Sequence, residues 1–246
     1  MANKAVIMAG WDDAPWLDDT EKKDLLDGTP PHLREARSKG IPHLGAGNVY
    51  PIPLSDFLID PIPIAPYWKR MYGLDVGWNR TACIWAAIDP DTDTMYFYDE
   101  HYQGHTEPYQ HAMAIKSRGD WIPGVIDPAS NGRSQADGEK LINIYRKQHQ
   151  LRIKPAKNQV EAGIYAMYER LSAGKLKVFK SLPNFQKEYV LYKRDLNGKI
   201  VKDNDHLMDA ARYVVLNYEV AMATPIAVQQ KNKGIGYAGK QYRVGL

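Results

Sequence analysis

The sequence predicts an α/β fold with a mixed β-sheet and helices on both faces of the sheet. Three observations support this prediction. Strands near residues 71–78, 81–89 and 94–101 are separated by short turns, which predicts an antiparallel meander. Helices and strands alternate after the meander, as is typical of parallel strands joined by crossover helices. A chain of 246 residues with 44% hydrophobic residues can bury one sizeable core.

The first predicted strand carries an aspartate. Apolar residues at positions 72, 74 and 76 alternate with Gly73, Asp75 and Gly77, a period of two that places Asp75 inside a strand. The flanking glycines allow another backbone or a ligand to approach closely. The turn at residues 77–80 and the apolar run from Thr81 to Ile88 predict the second strand. For Asp75 taken alone, a carboxylate that caps a nearby backbone amide is the alternative explanation.

A second aspartate ends the strand that follows the meander. A helix near residues 107–118 leads to a short apolar strand that ends at Asp127 and is stopped by Pro128. The carboxyl ends of strands in α/β sheets are where ligands bind. The alternation then continues with a helix near 136–149, a strand near 151–155 and a helix near 159–173.

The last predicted helix carries two more aspartates. Apolar residues recur at helical spacing from Leu207 to Tyr218, and the preceding Asp203-Asn204-Asp205 is typical of a capped helix start. Asp205 and Asp209 then lie one turn apart on the same face, where a divalent cation would remove their repulsion. A favourable interaction with the helix dipole explains Asp205 equally well, but it does not explain Asp209.

These carboxylates, on two strands and one helix, predict a metal site. A cluster of hard oxygen ligands favours Mg²⁺ or Mn²⁺ over zinc, and a pair of such ions suits phosphodiester hydrolysis. Glu100 near the end of the third strand and His206 beside the helix acids are candidate supporting residues. A structural or solvent-facing role is the alternative for His206. Cys83 stands alone on a predicted strand and is expected to be a small core residue.

Charge is distributed unevenly along the chain. Residues 138–246 contain 20 basic and 9 acidic residues, whereas residues 71–137 contain 4 basic and 10 acidic residues. This asymmetry favours a basic surface around an acidic metal centre, although scattered lysines can also serve solubility. An Asn-Gly turn at residues 195–198 predicts a hairpin flanked by residues 189–192 and 199–202. The basic residues of this hairpin are Lys193, Arg194, Lys199 and Lys202.

This order of elements, with acids on the first strand, the fourth strand and a late helix, resembles the ribonuclease H-like fold. Within that superfamily, the stretch from Trp11 to Tyr218 resembles the C-terminal nuclease domain of tailed-phage large terminase subunits. The motifs that carry the resemblance are WDDAPWL at 11–17, REARSKGIPHLGAGNVYPI at 34–52, GLDVGW at 73–78, VIDPASNGRSQADGEKL at 125–141, LYKRDLNGKIVK at 191–202 and DHLMDAARY at 205–213.

The resemblance implies a metal-dependent DNA endonuclease that cuts concatemeric viral DNA during genome packaging. Asp75, Asp127 and Asp209 match the family's three metal-binding carboxylates, with Asp205 as an additional acid of the same motif. The implied cofactor is Mg²⁺ or Mn²⁺. The implied partners are double-stranded DNA, guided by the hairpin, and the ATPase motor domain of the full-length protein, with the portal and the small terminase subunit as further candidates.

Two alternatives remain open at this stage. One is a non-catalytic ribonuclease H-like module that binds DNA or a motor partner, and the other is a junction-resolvase-like nuclease. Intact acids at all three matched positions favour a nuclease, and the motifs at 34–52 and 191–202 favour a terminase over a resolvase.

Three segments are predicted along the chain. Residues 1–66, which are rich in Pro and Gly over 40–66, are predicted to form an extended arm that continues from an ATPase region. Residues 67–222 are predicted to form the nuclease domain, and residues 223–246 are predicted to form a flexible basic tail. The sequence contains no GxxxxGK[ST] phosphate loop, so no ATPase activity is expected from this chain. It contains neither eighteen consecutive apolar residues nor a signal-peptide pattern, which predicts a protein of the host cell cytoplasm.

Overall fold

A computed structural model describes residues 10–29, 38, 47–131, 140–195 and 198–228. The strands in this part of the chain are β1 (Leu58–Ile59), β2 (Lys69–Asp75), β3 (Thr81–Asp89), β4 (Thr94–Gln103), β5 (Gly124–Ile126), β6 (Ile153–Pro155) and β7 (Leu176–Phe179). They form one sheet in the order β1-β7-β4-β3-β2-β5-β6. The pairs β2–β3 and β3–β4 are antiparallel, and the other neighbours are parallel. The predicted mixed sheet with a three-strand meander is therefore confirmed.

Helices connect and cover these strands. They are α1 (Asp19–Asp27), α2 (Pro108–Lys116), α3 (Leu141–Asn143), α4 (Val160–Ser172), α5 (Pro183–Leu191) and α6 (His206–Leu216). A π-helical turn (Ile144–Gln148) continues α3. No helix in the described ranges is long and apolar enough to cross a membrane.

Strand β3 forms the centre of the sheet. All nine of its residues are buried, which explains why its sequence is an almost continuous apolar run. Cys83 on this strand is fully buried, as predicted for a core residue. Next to β3, strand β2 pairs with β5 in a parallel register that sets Leu74 opposite Ile126. This register fixes where the residues that follow each strand lie.

Helix α6 packs directly against β2. Residues 207–215 of this helix are all buried, so α6 is enclosed on every side rather than amphipathic at a surface. Gly73 makes the close packing possible, because a Cβ at this position would lie 2.2 Å from the carbonyl oxygen of Ala210. The glycine before Asp75 therefore brings the helix backbone onto the strand.

Two elements of the sheet region differ from the sequence prediction. Residues 189–192 were expected to form the first strand of the basic hairpin, but Pro183–Leu191 form α5. Proline at the first position favours a helix start, and the buried side chains of Phe185, Glu188 and Tyr189 follow helical spacing. Helix α3 begins at Leu141 rather than near 136, and residues 132–139 lie outside the described residues.

The chain divides into two compact units. One comprises residues 52–192 and 202–246 and contains the whole sheet, whereas the other comprises residues 1–51 and 193–201. In this second unit, Arg194 pairs with Ile200 in a short antiparallel hairpin, and the amide of Val201 donates to the carbonyl of Lys193 at 3.0 Å. The predicted turn residues Leu196 and Asn197 lie outside the described residues.

The predicted limits of arm, nuclease domain and tail stay predictions. Strand β1 lies within the stretch assigned to the arm and pairs with β7 of the sheet. Residues 229–246, which make up most of the predicted tail, lie outside the described residues.

Candidate metal centre

Asp75 and Asp127 lie at the same edge of the sheet. Asp75 is the last residue of β2, and Asp127 immediately follows β5. The backbone amide of Asp127 donates to the carbonyl of Leu74 at 3.1 Å, which holds the two strand ends together. Parallel strands thus deliver two carboxylates to one place, as the carboxyl ends of an α/β sheet usually do for a ligand site.

The first turn of α6 adds two more groups to this edge. Nδ1 of His206, the first helical residue, lies 3.0 Å from Oδ2 of Asp75. Asp209 follows one turn into the helix, and its side chain is only 12% exposed. The close approach at Gly73 brings this part of α6 to the end of β2. The structure therefore brings together residues from two strands and one helix that are up to 134 positions apart in the sequence.

The three aspartates are electrostatically coupled. Burial raises the pKa of Asp75, the hydrogen bond with His206 opposes this shift, and the negative charges of Asp209 and Asp127 add to it. The pKa of His206 is raised, chiefly by its hydrogen bond to Asp75. Carboxylates that share a buried site repel one another in this way and hold a cation readily.

Basic side chains balance these acids. Nζ of Lys202 lies 2.9 Å from Oδ2 of Asp205 and 3.1 Å from Oδ2 of Asp209. Nη2 of Arg212, a fully buried residue, lies 2.9 Å from Oδ1 of Asp209. The shared contact with Lys202 agrees with the predicted location of both helix acids on one face. Sequence reasoning missed Arg212, although its spacing of three residues from Asp209 could have indicated a pair on the helix.

The residues present fit a divalent cation after a side-chain shift. Within the described ranges, no three Asp, Glu, His or Cys side chains converge closely enough to coordinate one ion. The donors are nevertheless carboxylate oxygens, the type that Mg²⁺ and Mn²⁺ prefer, and Asp205 and Asp209 are buried. Oδ2 of Asp205 and Oδ1 of Asp209 receive no well-directed hydrogen bond, although each has a cationic nitrogen at 2.9 Å. Lys202 has a largely exposed side chain and can withdraw from these oxygens, which would leave them available to a cation.

Glu100 lies at the N-terminus of a different helix. Its Oε1 accepts from the backbone and side-chain amides of Asn184, and its Oε2 accepts from the amide of Phe185 at 2.9 Å. These contacts cap α5. The sequence could not reveal them, because 84 positions separate Glu100 from Asn184.

The four predicted DNA-binding residues belong to two parts of the chain. Lys193, Arg194 and Lys199 lie on the short hairpin, where Nη1 of Arg194 donates to the carbonyl of Gly198 at 2.8 Å. Lys202 belongs to the unit that contains the sheet and contacts the helix acids. The role of all four in DNA binding stays a prediction.

A three-strand antiparallel meander continued by parallel strands, with acids at one sheet edge and on a helix packed across it, defines a ribonuclease H-like domain. The family model described as the terminase RNaseH-like domain matches residues 72–218, and the chain belongs to this family. The predicted fold class and family resemblance are confirmed.

Comparison with known proteins identifies relatives of the same kind. The large terminase subunit of Enterobacteria phage LP7 is 31% identical over 208 residues, which cover 82% of this chain and 44% of that protein. The chain therefore spans less than half the length of this relative. The P22 large terminase nuclease domain has 28% identity and a TM-score of 0.67, covering 73% of this chain and 96% of that domain. The nuclease domain of the SPP1 large terminase, solved with bound manganese, has a TM-score of 0.50 and 20% identity, covering 63% of this chain and 92% of that domain.

Proposed function

We propose that this chain is a metal-dependent DNA endonuclease that cuts concatemeric viral DNA during genome packaging. The observation that carries the proposal is the meeting of Asp75, Asp127 and Asp209 at one sheet edge, where the charges of the latter two raise the pKa of Asp75. The likeness to the P22 nuclease domain supports nuclease activity. Manganese bound to the SPP1 nuclease domain supports Mg²⁺ or Mn²⁺ as the cofactor.

The chain contributes ligands and groups that orient them. Asp75, whose charge interacts with those of both other acids, would be shared by two ions, and Asp127 and Asp209 would each hold one. When bound, the two metal ions supply Lewis-acid stabilisation of both the attacking and the leaving oxygen of the phosphodiester. His206 fixes the carboxylate of Asp75 through Oδ2, and Arg212 fixes that of Asp209 through Oδ1. Fixed carboxylates need less reorganisation when the substrate phosphate arrives.

Double-stranded DNA is the proposed substrate. Lys193, Arg194, Lys199 and Lys202 would contact its phosphates through sequence-independent ionic interactions. The ATPase motor domain of the full-length protein is a proposed partner, since the chain spans 44% of the LP7 large subunit and contains no phosphate-loop motif. The portal and the small terminase subunit are further proposed partners. The chain itself is expected to lack ATPase activity.

Nicking of supercoiled plasmid tests the proposal. Wild-type protein with Mn²⁺ or Mg²⁺ should nick and linearise the plasmid, EDTA should stop the reaction, and Mn²⁺ should be the more active ion because its coordination is less demanding. Asp75→Asn should lower the nicking rate by at least about 100-fold. Mutation of a residue that only hydrogen-bonds to a metal ligand already lowers metal affinity or activity about 10- to 100-fold. Asp60→Asn, at an exposed surface ion pair with Lys180, is the matched control and should retain the wild-type rate.

Two outcomes would overturn the catalytic assignment. Nicking that persists in Asp75→Asn would point to a contaminating nuclease. DNA binding without cleavage in either metal would favour a non-catalytic module, a candidate that the contacts of Lys202 and Arg212 with the acids also favour. Preference for a four-way junction over linear duplex would instead indicate a resolvase-like nuclease.

A further inference from the structure

Glu188 is a buried carboxylate that the proposed chemistry does not use. It lies on α5, is 1% exposed, and none of its contacts within the described chain is an ion pair. Burial raises its pKa, and the hydrogen bonds that it accepts oppose the shift. Glutamate is rarely buried to this extent without a specific partner, so its surroundings require an explanation.

The main partners of Glu188 are backbone amides at the start of α6. Its Oε2 accepts from the amide of Leu207 at 2.6 Å, and the amide of Met208 also donates to the carboxylate. Asp205 occupies the N-cap position of this helix, but its side chain makes no capping hydrogen bond. Glu188 therefore supplies, from another helix, the acceptor that the first turn of α6 needs. Its negative charge also interacts favourably with the helix dipole.

The sheet holds Glu188 in place. The hydroxyl of Tyr102 on β4 donates to Oε1 of Glu188 at 2.6 Å. The guanidinium of Arg80 lies 4.6 Å from the centre of the Tyr102 ring. A chain of contacts thus runs from the loop after β2 through Tyr102 and Glu188 to the start of α6.

We propose that Glu188 is a positioning residue of the nuclease site. It anchors the first turn of α6, which carries His206 against Asp75 and places Asp209 one turn further along. Because Glu188 serves as the cap, the carboxylate of Asp205 is not needed for capping. It instead contacts Lys202, as the carboxylate of Asp209 does. The inference rests on the proposed nuclease function for its catalytic consequence, but the anchoring of α6 can be measured without metal or DNA.

Amide hydrogen exchange on the full metal-free chain tests the anchoring. Glu188→Ala should speed exchange at Leu207 and Met208 by about tenfold, because both amides lose their acceptor. Glu188→Gln should restore slow exchange, since its carbonyl oxygen can accept from Leu207 while its amide donates to a rotated Tyr102 hydroxyl. Glu169→Ala, at an exposed position of α4, is the matched control and should exchange like the wild type. Unchanged exchange in Glu188→Ala would overturn the inference.

Mn²⁺ titration calorimetry and plasmid nicking test the catalytic consequence. Glu188→Ala should weaken Mn²⁺ binding about tenfold and slow nicking to a similar extent, the effect expected of a group that orients a ligand, and Glu188→Gln should recover most of both. If Glu188→Ala does not fold, Tyr102→Phe replaces it in both measurements. We expect the Mn²⁺ affinity and the nicking rate of Tyr102→Phe to fall about threefold. A folded Tyr102→Phe or Glu188→Ala protein that binds Mn²⁺ like the wild type would overturn the positioning role. A wild-type protein that neither binds Mn²⁺ nor nicks plasmid DNA would instead overturn the proposed function. Hydrogen exchange would still show whether Glu188 anchors α6.

Discussion

Nζ of Lys202 lies 3.1 Å from Oδ2 of Asp209, one of the proposed metal ligands. The same nitrogen lies 2.9 Å from Oδ2 of Asp205. Burial lowers the pKa of Lys202, but its ionic contacts with the carboxylates of Asp205 and Asp209 outweigh this effect and leave the pKa raised. An ammonium group that is stabilised in this place would compete with a divalent cation for the same oxygens.

Replacement of Lys202 by methionine should therefore strengthen Mn²⁺ binding. Methionine keeps a similar length without the charge. We expect a gain of up to about fivefold, because an exposed ion pair contributes up to about 1 kcal/mol. Titration calorimetry measures the change, with Lys187→Met at an exposed position of α5 as the control. Weaker Mn²⁺ binding in Lys202→Met would show that the lysine supports the ion rather than competes with it.

The pair formed by His206 and Asp75 should make stability depend on pH. A histidine pKa raised above its usual 6.5 means that the folded chain holds the proton more tightly than the unfolded chain. The stabilising contribution is therefore fully present below about pH 6.5 and is lost as the pH rises through the raised pKa. The raised pKa of Asp75 changes stability in the same direction at lower pH, since the folded state again favours the protonated form.

Urea denaturation in EDTA between pH 5.5 and 8.5, a range set by the usual histidine pKa, measures this dependence. His206→Asn should lack the decline in the free energy of unfolding that the wild type shows above about pH 6.5. His105→Asn, whose ring contacts Trp78 instead of a carboxylate, should retain it. A wild-type protein with equal stability across this range would contradict the assignment.

Removal of the hairpin charges should weaken DNA binding and reduce its salt dependence. We expect the triple variant Lys193→Ala, Arg194→Ala, Lys199→Ala to lower the slope of log affinity against log salt by up to about three, since each phosphate contact contributes about 0.9. Fluorescence anisotropy with a short duplex at several salt concentrations measures the slope.

The matched control removes three positive charges from the end of the sheet that lies opposite the aspartates. Lys69, Arg152 and Lys175 lie at or just before the starts of β2, β6 and β7, away from the strand ends that carry the aspartates. Their triple alanine variant should bind DNA with nearly the wild-type slope. Equal losses in the two triple variants would indicate a general charge effect and contradict a guiding role for the hairpin.

Substitution of Gly73 by alanine should disturb the contact between β2 and α6. The new methyl group would lie 2.2 Å from the carbonyl oxygen of Ala210 and 2.9 Å from Cγ2 of Val214, so the helix must shift. We expect a loss of about 1–3 kcal/mol in the free energy of unfolding, together with slower nicking. Gly28→Ala is the control, because its nearest neighbouring atom is 3.5 Å from the new methyl group. Equal stability of the two variants in urea would contradict the proposed tight packing.

Local patterns were sufficient to predict the meander and the three acids of the candidate site. Strand β3 has the predicted limits, 81–89, because an apolar run between two polar turns specifies a buried strand without long-range information. Asp75 was recognised because the interior of a strand disfavours aspartate, and Asp127 because it ends a short apolar strand. Helical spacing predicted Asp209, the carboxylates together predicted the metal, and the family motifs agreed with both.

Contacts between distant segments could not be predicted in the same way. Asp203-Asn204-Asp205 has the local pattern of a capped helix start, yet the cap comes from Glu188, which no local rule connects to Leu207. Residues 189–191 favour a strand by composition, but the burial of Phe185, Glu188 and Tyr189 at helical spacing explains why α5 extends through them. Tertiary contacts outweighed local preference in both cases.

The burial of Cys83 has a practical consequence for measuring DNA binding by fluorescence. It is the single cysteine of the sequence and lies fully buried on β3, where burial raises the pKa of its thiol well above the ordinary value. A protonated, inaccessible thiol reacts poorly with maleimide dyes. A cysteine introduced in place of Lys199 would therefore accept a fluorophore selectively without removal of the native residue, and energy transfer to a labelled duplex could report the approach of DNA in real time.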